Sequence, residues 1–322
     1  MKKKSNFIKV SNKSLKTAAK ILKKGGVVAF PTETVYGLGA CAFDSKAAAK
    51  IFKIKKRPFF DPLIVHICDK SQLSILSLEI PPKVKRLTDL FWPGPLTLIL
   101  KKKESVPDIV TAGLNTVAVR MPSCQISLKL IKEAGFPIAA PSANLFSRIS
   151  PVRASHVKNQ LKNGPDLILD GGKTLKGLES TIIKFEKGKF YILREGALPS
   201  DKIEKKAKIK LIKPKQAKIT APGMLKKHYS PKAEVIIVKG EKEAGDLRAA
   251  YIAFKKLPLK NFKYKKVLSS KGCLEEAAAN LFDFFHETEK MKIKKIYVEK
   301  VPHKGLGKAI NDRIIRAAAK EG

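Results

Sequence analysis

The chain has 322 residues, 44% of them hydrophobic, enough for a real core and more than one average domain holds, so two domains are expected. With 66 Lys and Arg against 28 Asp and Glu the formal charge is +38, which attracts polyanions; because lysine is scattered through every segment, a general compositional bias and a purposeful polyanion face both remain open. Cys41, Cys68, Cys124 and Cys273 form no CxxC pair and no apolar run approaches a membrane span, which argues against a zinc ribbon, a disulfide framework and a transmembrane helix.

The basic start, Met1 to Lys4, leads into a polar stretch rather than an apolar one, so no secretory signal is expected and a soluble, cytoplasmic protein is. Residues 17–24 read as a helix closed by Gly25 and Gly26, and residues 27–30 as a β-rich run stopped by Pro31. Helices are expected over residues 47–53, 82–91, 127–134 and 154–161. Strands are expected over 63–67, 96–100, 117–120, 167–170, 180–186 and 189–194, with a buried strand end at 138–140. The last two strands form a hairpin through Lys187 and Gly188. Such mixing indicates an α/β class.

Composition then shifts. Residues 201–218 are Lys-rich and lack aromatics, and APGMLKKHYSP (residues 221–231) is irregular, so an interdomain linker is read there. Beyond it come a strand at 234–238, a helix-like stretch at 245–256, a short strand at 267–268, a helix at 274–288, a strand at 295–298 and a closing helix at 306–319. This is the pattern of a small Rossmann-like three-layer α/β unit. The division expected is 1–205, a linker at 206–231, and 232–322.

Familiar nucleotide motifs fail. Gly172-Lys173-Thr174 has Leu167 where a P-loop needs glycine, and Gly37-Leu38-Gly39 and Gly305-Leu306-Gly307 lack a third glycine. The five histidines have no metal-ligand spacing, so no protein-held metal is expected. Polar residues instead sit where strands end. In FPTETVYGLG (residues 30–39) small hydroxyls and glycines follow a buried run, which fits either a ligand-hugging loop or a capped turn. Lys55, Lys56 and Arg57 end a helix, where cations also suit the helix dipole. Arg120 leaves an apolar strand as an anion clamp or a structural ion pair, and AAPSAN (residues 139–144) offers Ser142 and Asn144. Ser150, Ser180 and Arg194 repeat the theme. Hydroxyls, amides and cations suit the binding of phosphates and a carboxylate better than acid/base work.

Together GGVVAFPTETVYGLG (25–39), KKRPFFDPLIVHI (55–67), WPGPLTLIL (92–100), VAVRMP (117–122), PIAAPSAN (137–144) and STII (180–183) resemble the YrdC-like threonylcarbamoyl-AMP synthases in order and spacing. APGMLKKHYSP and GLGKAINDR (305–313) resemble the family's two-domain form. The resemblance implies a twisted mixed open sheet with flanking helices, and a nucleotidyltransferase that makes threonylcarbamoyl-AMP and pyrophosphate from L-threonine, bicarbonate and ATP for tRNA modification. It implies a catalytic role for Lys55 and Arg57, and places Thr34, His66, Arg120, Ala140 and Ser180 around threonine. Around ATP it places Lys55, Arg57, Asp61, Thr116, Ser142, Asn144, Ser150, Arg194 and Tyr229. Mg2+ is expected to arrive with ATP, and tRNA and the downstream threonylcarbamoyl transferase complex are further expected partners. Asp61 replaces a frequent Asn, Ala221 a frequent Ser and Lys227 a frequent Arg. The linker, through Pro222-Gly223 and Tyr229, is expected to fold over the site and exclude water. The alternative is a non-catalytic RNA-binding protein of the same fold; a carbamoyl-transferring relative in hydrogenase maturation is disfavoured by the missing CxxC pairs.

Overall fold

The protein is described by a computed structural model over residues 6–214 and 228–319. The first lobe runs β1 (Asn6–Lys9), α1 (Asn12–Lys23), β2 (Val28–Pro31), β3 (Tyr36–Cys41), α2 (Ser45–Lys55), β4 (Ile64–His66), α3 (Pro82–Phe91), β5 (Leu96–Lys101), α4 (Asp108–Thr111), β6 (Thr116–Arg120), α5 (Gln125–Ala134) and β7 (Ile138–Ala139). It continues with α6 (Ala154–Leu161), β8 (Leu167–Asp170), β9 (Thr181–Glu186), β10 (Lys189–Arg194), α7 (Ser200–Ala207) and β11 (Leu211–Ile212). The second lobe holds β12 (Glu234–Val238), β13 (Ala250–Ala253), β14 (Tyr264–Val267), α8 (Leu274–Lys290), β15 (Lys295–Glu299) and α9 (Gly307–Ala318).

The first eleven strands form one mixed sheet in the order β1-β8-β2-β3-β7-β4-β6-β5-β9-β10-β11. Helix α1 starts five residues before the expected position because its cap, not its first apolar residue, sets the start: Ser11 and Ser14 bond each other's backbone amides at 3.1 and 2.8 Å. Leu15, Ala18, Ala19 and Leu22 then recur on one face and bury against Leu130, Ile131 and Ala134 of α5. Strand β2 is buried throughout, and a Cβ at Gly39 on the adjacent β3 would lie 2.6 Å from both Phe30 and Ile138, so only glycine lets these strands and side chains close up. Register matters most in the middle of the sheet, where parallel pairing of β4 and β6 sets His66 directly beside Arg120. The β9–β10 hairpin is antiparallel, with a register shift between Ile192 and Arg194.

Two stretches differ from expectation. Residues 245–256 do not form a helix: they contain β13, and a single 3-10 turn precedes them at Glu241–Glu243. The alternating burial that strand pairing imposes wins over a helix-like composition, with Ala250 and Ile252 on one face of β13 and Tyr251 and Ala253 on the other. Residues 206–212, counted with the linker on composition, close α7 and add β11 in parallel to β10. Residues 215–227, including Ala221, Pro222, Gly223 and Lys227, lie outside the described residues.

The second sheet is all parallel, in the order β12-β15-β13-β14. One face packs under Leu281, Phe282 and Phe285 of α8 and Ile310 and Ile314 of α9. The opposite face is covered by Ala244, Ala249 and Phe262. The lobes share a core, because Val35, Ile149, Val152, Leu178 and Ala197 of the first belong to the same apolar cluster as α8 and α9. Ion pairs rim it: Arg153 grips Asp283 with two bonds of 2.9 and 3.0 Å, Lys173 reaches the same carboxylate at 2.9 Å, and Arg148 meets Glu289 at 2.6 Å. The His156 and His286 rings stack across the boundary with centroids 3.8 Å apart. No helix among the described residues is long and apolar enough to cross a membrane.

Gly177 sits at φ +67°, and a Cβ there would run into the backbone of Ala278 and Ala279 in α8. Gly177→Ala is expected to destabilise the chain by at least about 1–2 kcal/mol from the left-handed backbone alone. Guanidinium unfolding checks this, and an unchanged midpoint would contradict the close approach of the lobes. A second expectation concerns acid. Burial lowers His156 to about 4 and His286 to about 3, with the Asp283 carboxylate opposing the fall at both, so the folded state resists protons that the unfolded chain accepts from about pH 6.5 down. Stability therefore falls as pH drops from 6.5 towards 4, by up to about 1.4 kcal/mol per pH unit for each such group. Asp283, held down to about 2 by Arg153 and Lys173 against its own burial, adds to the loss only below about pH 3.8. Unfolding midpoints at pH 7 and pH 5 should differ, and equal midpoints would rule the effect out.

Candidate active site

The ends of the central strands and the loops after them line a cavity of about 50 Å3 between the sheet and residues 228–229. Its wall carries the guanidinium groups of Arg57, Arg120 and Arg194. Each is placed by a different local device. Helix α2 ends on Lys56 in the left-handed conformation (φ 52°), which turns Arg57 back so that its amide bonds Phe52 O at 3.0 Å. Its side chain is then braced by Asp61 O at 3.0 Å, Pro62 O at 2.8 Å and the Asp61 carboxylate at 2.9 Å. Arg120 ends β6, donates to Gly94 O at 3.3 Å and to Thr34 Oγ1 at 3.0 Å, and lies 2.5 Å from Glu33 Oε1. The register shift in β10 aims Arg194 at the Ser180 carbonyl, which it meets at 3.1 and 2.9 Å, and at Ser180 Oγ at 3.2 Å.

Between these cations the histidines are uncharged. His66, pushed down to about 3 by burial and by Arg120, is neutral at any working pH. Its Nδ1 lies 3.1 Å from Ile64 O, so the proton sits there and Nε2 is left as an acceptor. His228 is likewise held far below its ordinary value by burial and by Arg57 and Arg313. It packs edge-on against Phe146 and Tyr229. Tyr229 closes the cavity from the second-lobe side with a positive φ of 63°, unusual for a non-glycine residue. Its ring stacks on Phe282 with centroids 5.6 Å apart and receives the Arg313 guanidinium at 4.7 Å. Burial pushes its hydroxyl up to about 12, and the hydroxyl has no hydrogen-bond partner among the described residues.

Of the residues singled out from sequence, Thr34, Arg57, His66, Arg120, Ala140, Ser142, Ser180, Arg194 and Tyr229 line this one cavity. Lys55, Asp61, Asn144 and Ser150 stand behind it. Lys55 is fully buried, and its ammonium donates at 2.5 Å to the carbonyls of Ser142 and Asn144, so it shapes the loop instead of facing the cavity. Asn144 bonds Leu145 O and Arg148 O, and its Oδ1 is buried without a hydrogen bond among the described residues. Ser150 donates to Glu179 at 2.5 Å. Thr116 is not brought to the cavity. It lies four residues before Arg120 on the same face of β6, about 13 Å away at about 3.3 Å per residue, and lines a second cleft with Ile99 and Lys184. An apolar patch of Ile64, Ile99, Ala118 and Ile182 belongs to this region of the sheet. Sequence reasoning did not single out Glu33, Glu179, His228 or Arg313. An acid inside the run around Glu33 was a usable signal; Arg313 lies in the GLGKAINDR segment, but its link to the site was not legible because its partner Glu179 is 134 residues away.

Comparison with known proteins gives the setting. Residues 20–196 match the Sua5–YciO–YrdC family model, described as telomere recombination, and residues 184–319 match the model of a threonylcarbamoyl-AMP synthase C-terminal domain. Threonylcarbamoyl-AMP synthases of Pyrococcus abyssi and Bacillus subtilis are each 41% identical to this chain, over 94% of it and 94% and 92% of their own lengths. A crystal structure of P. abyssi Sua5 complexed with L-threonine superposes with a TM-score of 0.87 at 38% identity, covering 98% of this chain and 97% of that one.

Asp61 places a buried carboxylate against the anion-attracting Arg57, and neither of its oxygens has a hydrogen bond among the described residues. Burial raises its pKa while Arg57, Lys55 and Arg194 oppose the rise. Asp61→Asn keeps the acceptor but removes the opposing charge, so pyrophosphate should bind several-fold more tightly, about 1 kcal/mol for a screened neighbouring charge. Asp61→Ala also removes the charge but leaves Arg57 only the Asp61 and Pro62 carbonyls as braces, and should bind pyrophosphate more weakly than Asp61→Asn. Titration calorimetry reads both, and tighter binding by the Ala variant than by Asp61→Asn would refute this account.

Proposed function

The chain belongs to the Sua5/YrdC family of threonylcarbamoyl-AMP synthases, and we propose that its cavity joins L-threonine, bicarbonate and ATP into threonylcarbamoyl-AMP, releasing pyrophosphate and water. The observation that carries the reading is the convergence of Arg57, Arg120 and Arg194 with the Thr34 and Ser180 hydroxyls around an uncharged His66. Such a wall binds an amino-acid carboxylate at one point and a polyphosphate at others.

In this reading Arg120 clamps the threonine carboxylate, with Glu33 limiting its swing, while Thr34, His66 Nε2, Ala140 and Ser180 frame the side chain and amine. The amine adds to the carbon of bicarbonate and water leaves, giving a carbamate. A carbamate oxygen then attacks the ATP α-phosphorus, the bond to the β-phosphate oxygen breaks, and pyrophosphate departs. Positioning and charge neutralisation carry this displacement. Arg57 and Arg194 meet the phosphates, Ser142 borders them, and Lys55 and Asn144 hold the Ser142 loop in shape. The adenosine would extend along the apolar patch of Ile64, Ala118 and Ile182 towards Thr116. Tyr229 covers the labile product. Mg2+ is expected to enter on the ATP phosphates, whose charge it shares with Arg57 and Arg194. The product serves tRNA modification in the cytoplasm, with the downstream transferase complex and tRNA as the next partners.

Pyrophosphate release tests the proposal directly. It should require ATP, L-threonine and bicarbonate together, and Arg57→Ala should reduce it by about two orders of magnitude, as loss of a charge-stabilising donor does. L-Serine should replace threonine better than L-valine if the substrate hydroxyl is hydrogen-bonded. Release that ignores threonine or bicarbonate would end this reading.

A further inference from the structure

We propose that Arg313, from the second lobe, is a positioning residue of the active site: its guanidinium seats Tyr229 over the cavity and Glu179 in its wall, so that both lobes form one nucleotide site. The inference rests on the cavity being where the adenylate forms.

Arg313 lies on α9, far from the cavity strands in sequence, yet is completely buried between the lobes. Every donor nitrogen is directed. Nε bonds Glu179 Oε2 at 2.9 Å, Nη2 bonds Glu195 O at 3.0 Å, and Nη1 meets Asp312 at 2.6 Å. Its Cζ lies over the Tyr229 ring, 4.7 Å from the ring centre. Glu179 passes the contact on to Ser150 Oγ at 2.5 Å and immediately precedes Ser180, while Glu195 immediately follows Arg194. One side chain thus touches the chain neighbours of both cavity residues that grip each other, and the ring that covers them.

A merely structural buried ion pair would be replaceable by apolar side chains of equal volume. Three features distinguish Arg313. Two of its four contacts are cavity-lining residues, Glu179 and Tyr229. Tyr229 adopts a positive φ, a conformation that persists only when its surroundings over-determine it. Finally, Arg316, one turn further along α9, accepts the His228 amide on its carbonyl at 3.4 Å, so the same helix receives both residues of the covering pair. A planar guanidinium can stack on the ring and donate sideways to a carboxylate at once; a lysine ammonium cannot do both in this geometry.

The test uses the full chain with Arg313→Lys and Arg313→Gln, measuring threonine affinity by calorimetry, KM for ATP and kcat by pyrophosphate release, and unfolding. Threonine affinity should stay within about three-fold, because Arg120 and Thr34 meet on the sheet side, while KM for ATP rises about ten-fold, the usual size of a lost desolvated cation–π and ion-pair contact. In a Tyr229→Leu background Arg313→Lys should add little, since both act through the same cover. Unchanged KM, full additivity, equal loss of threonine and ATP binding, or failure of both variants to fold would each overturn the proposal. Absence of turnover in the wild type would instead refute the functional reading and leaves the threonine and unfolding results to judge Arg313 on their own: a shift in either larger than Arg313→Lys volume change explains would place it in the core.

Discussion

Burying Arg57, Arg120, Arg194 and Arg313 around one cleft obliges the chain to supply acceptors for their hydrogens, and most of the loops near the cleft are shaped by that demand. A guanidinium keeps its charge in any environment a protein offers, so it must be met by carbonyls or carboxylates. Arg57 folds the Asp61-Pro62 turn around itself, Arg194 holds the Ser180 carbonyl, Arg120 takes Gly94 O and Glu33, and Arg313 takes Glu179 and Glu195 O. Lys55 follows the same rule, capping two carbonyls of the Ser142 loop. The cations are consequently fixed in place before any ligand arrives, which is the preorganisation that charge-stabilising catalysis needs.

The neutral groups complete the electrostatics. His66 and His228 sit among cations and burial and therefore stay unprotonated, so they add acceptor or stacking capacity without adding charge. The carboxylates beside the cavity are each turned towards a guanidinium, which leaves the field in the open space positive and suited to phosphates. Tyr229 and His228 cover the cavity, a position that suits a product that is a mixed carbamic–phosphoric anhydride open to hydrolysis.

The second lobe is bound up with this site. Its α8 and α9 share an apolar cluster with Val35, Ile149 and Val152, which flank the site loops, and Gly177 lets α8 approach backbone to backbone. Glu289 at the end of α8 holds both Arg148, in the loop after Asn144, and the amide of Lys232, just past Tyr229. The covering residues and the loop they cover are therefore tied to the same helix.

The sequence by itself determined what periodicity and local chemistry encode. The helix at residues 82–91, the β9–β10 hairpin, the apolar strands of the main sheet and the clustering of polar residues at strand ends were all legible, because burial of alternate or every third to fourth residue and turn glycines are local signals. The resemblance to one family was legible for the same reason, since its segments are short and contiguous. Three things were decided only in three dimensions. Residues 250–253 became a strand because neighbours on both sides, β15 and β14, offered a ladder that a short composition-based reading cannot see. Lys55 turned away from the cavity because two loop carbonyls from residues 87 and 89 positions distant needed a donor. Arg313 joined the site because packing α9 against the first lobe left a buried cation whose partners, Glu179 and Tyr229, lie 134 and 84 residues earlier; pairings of that range follow from how lobes dock, which no local pattern in the chain records.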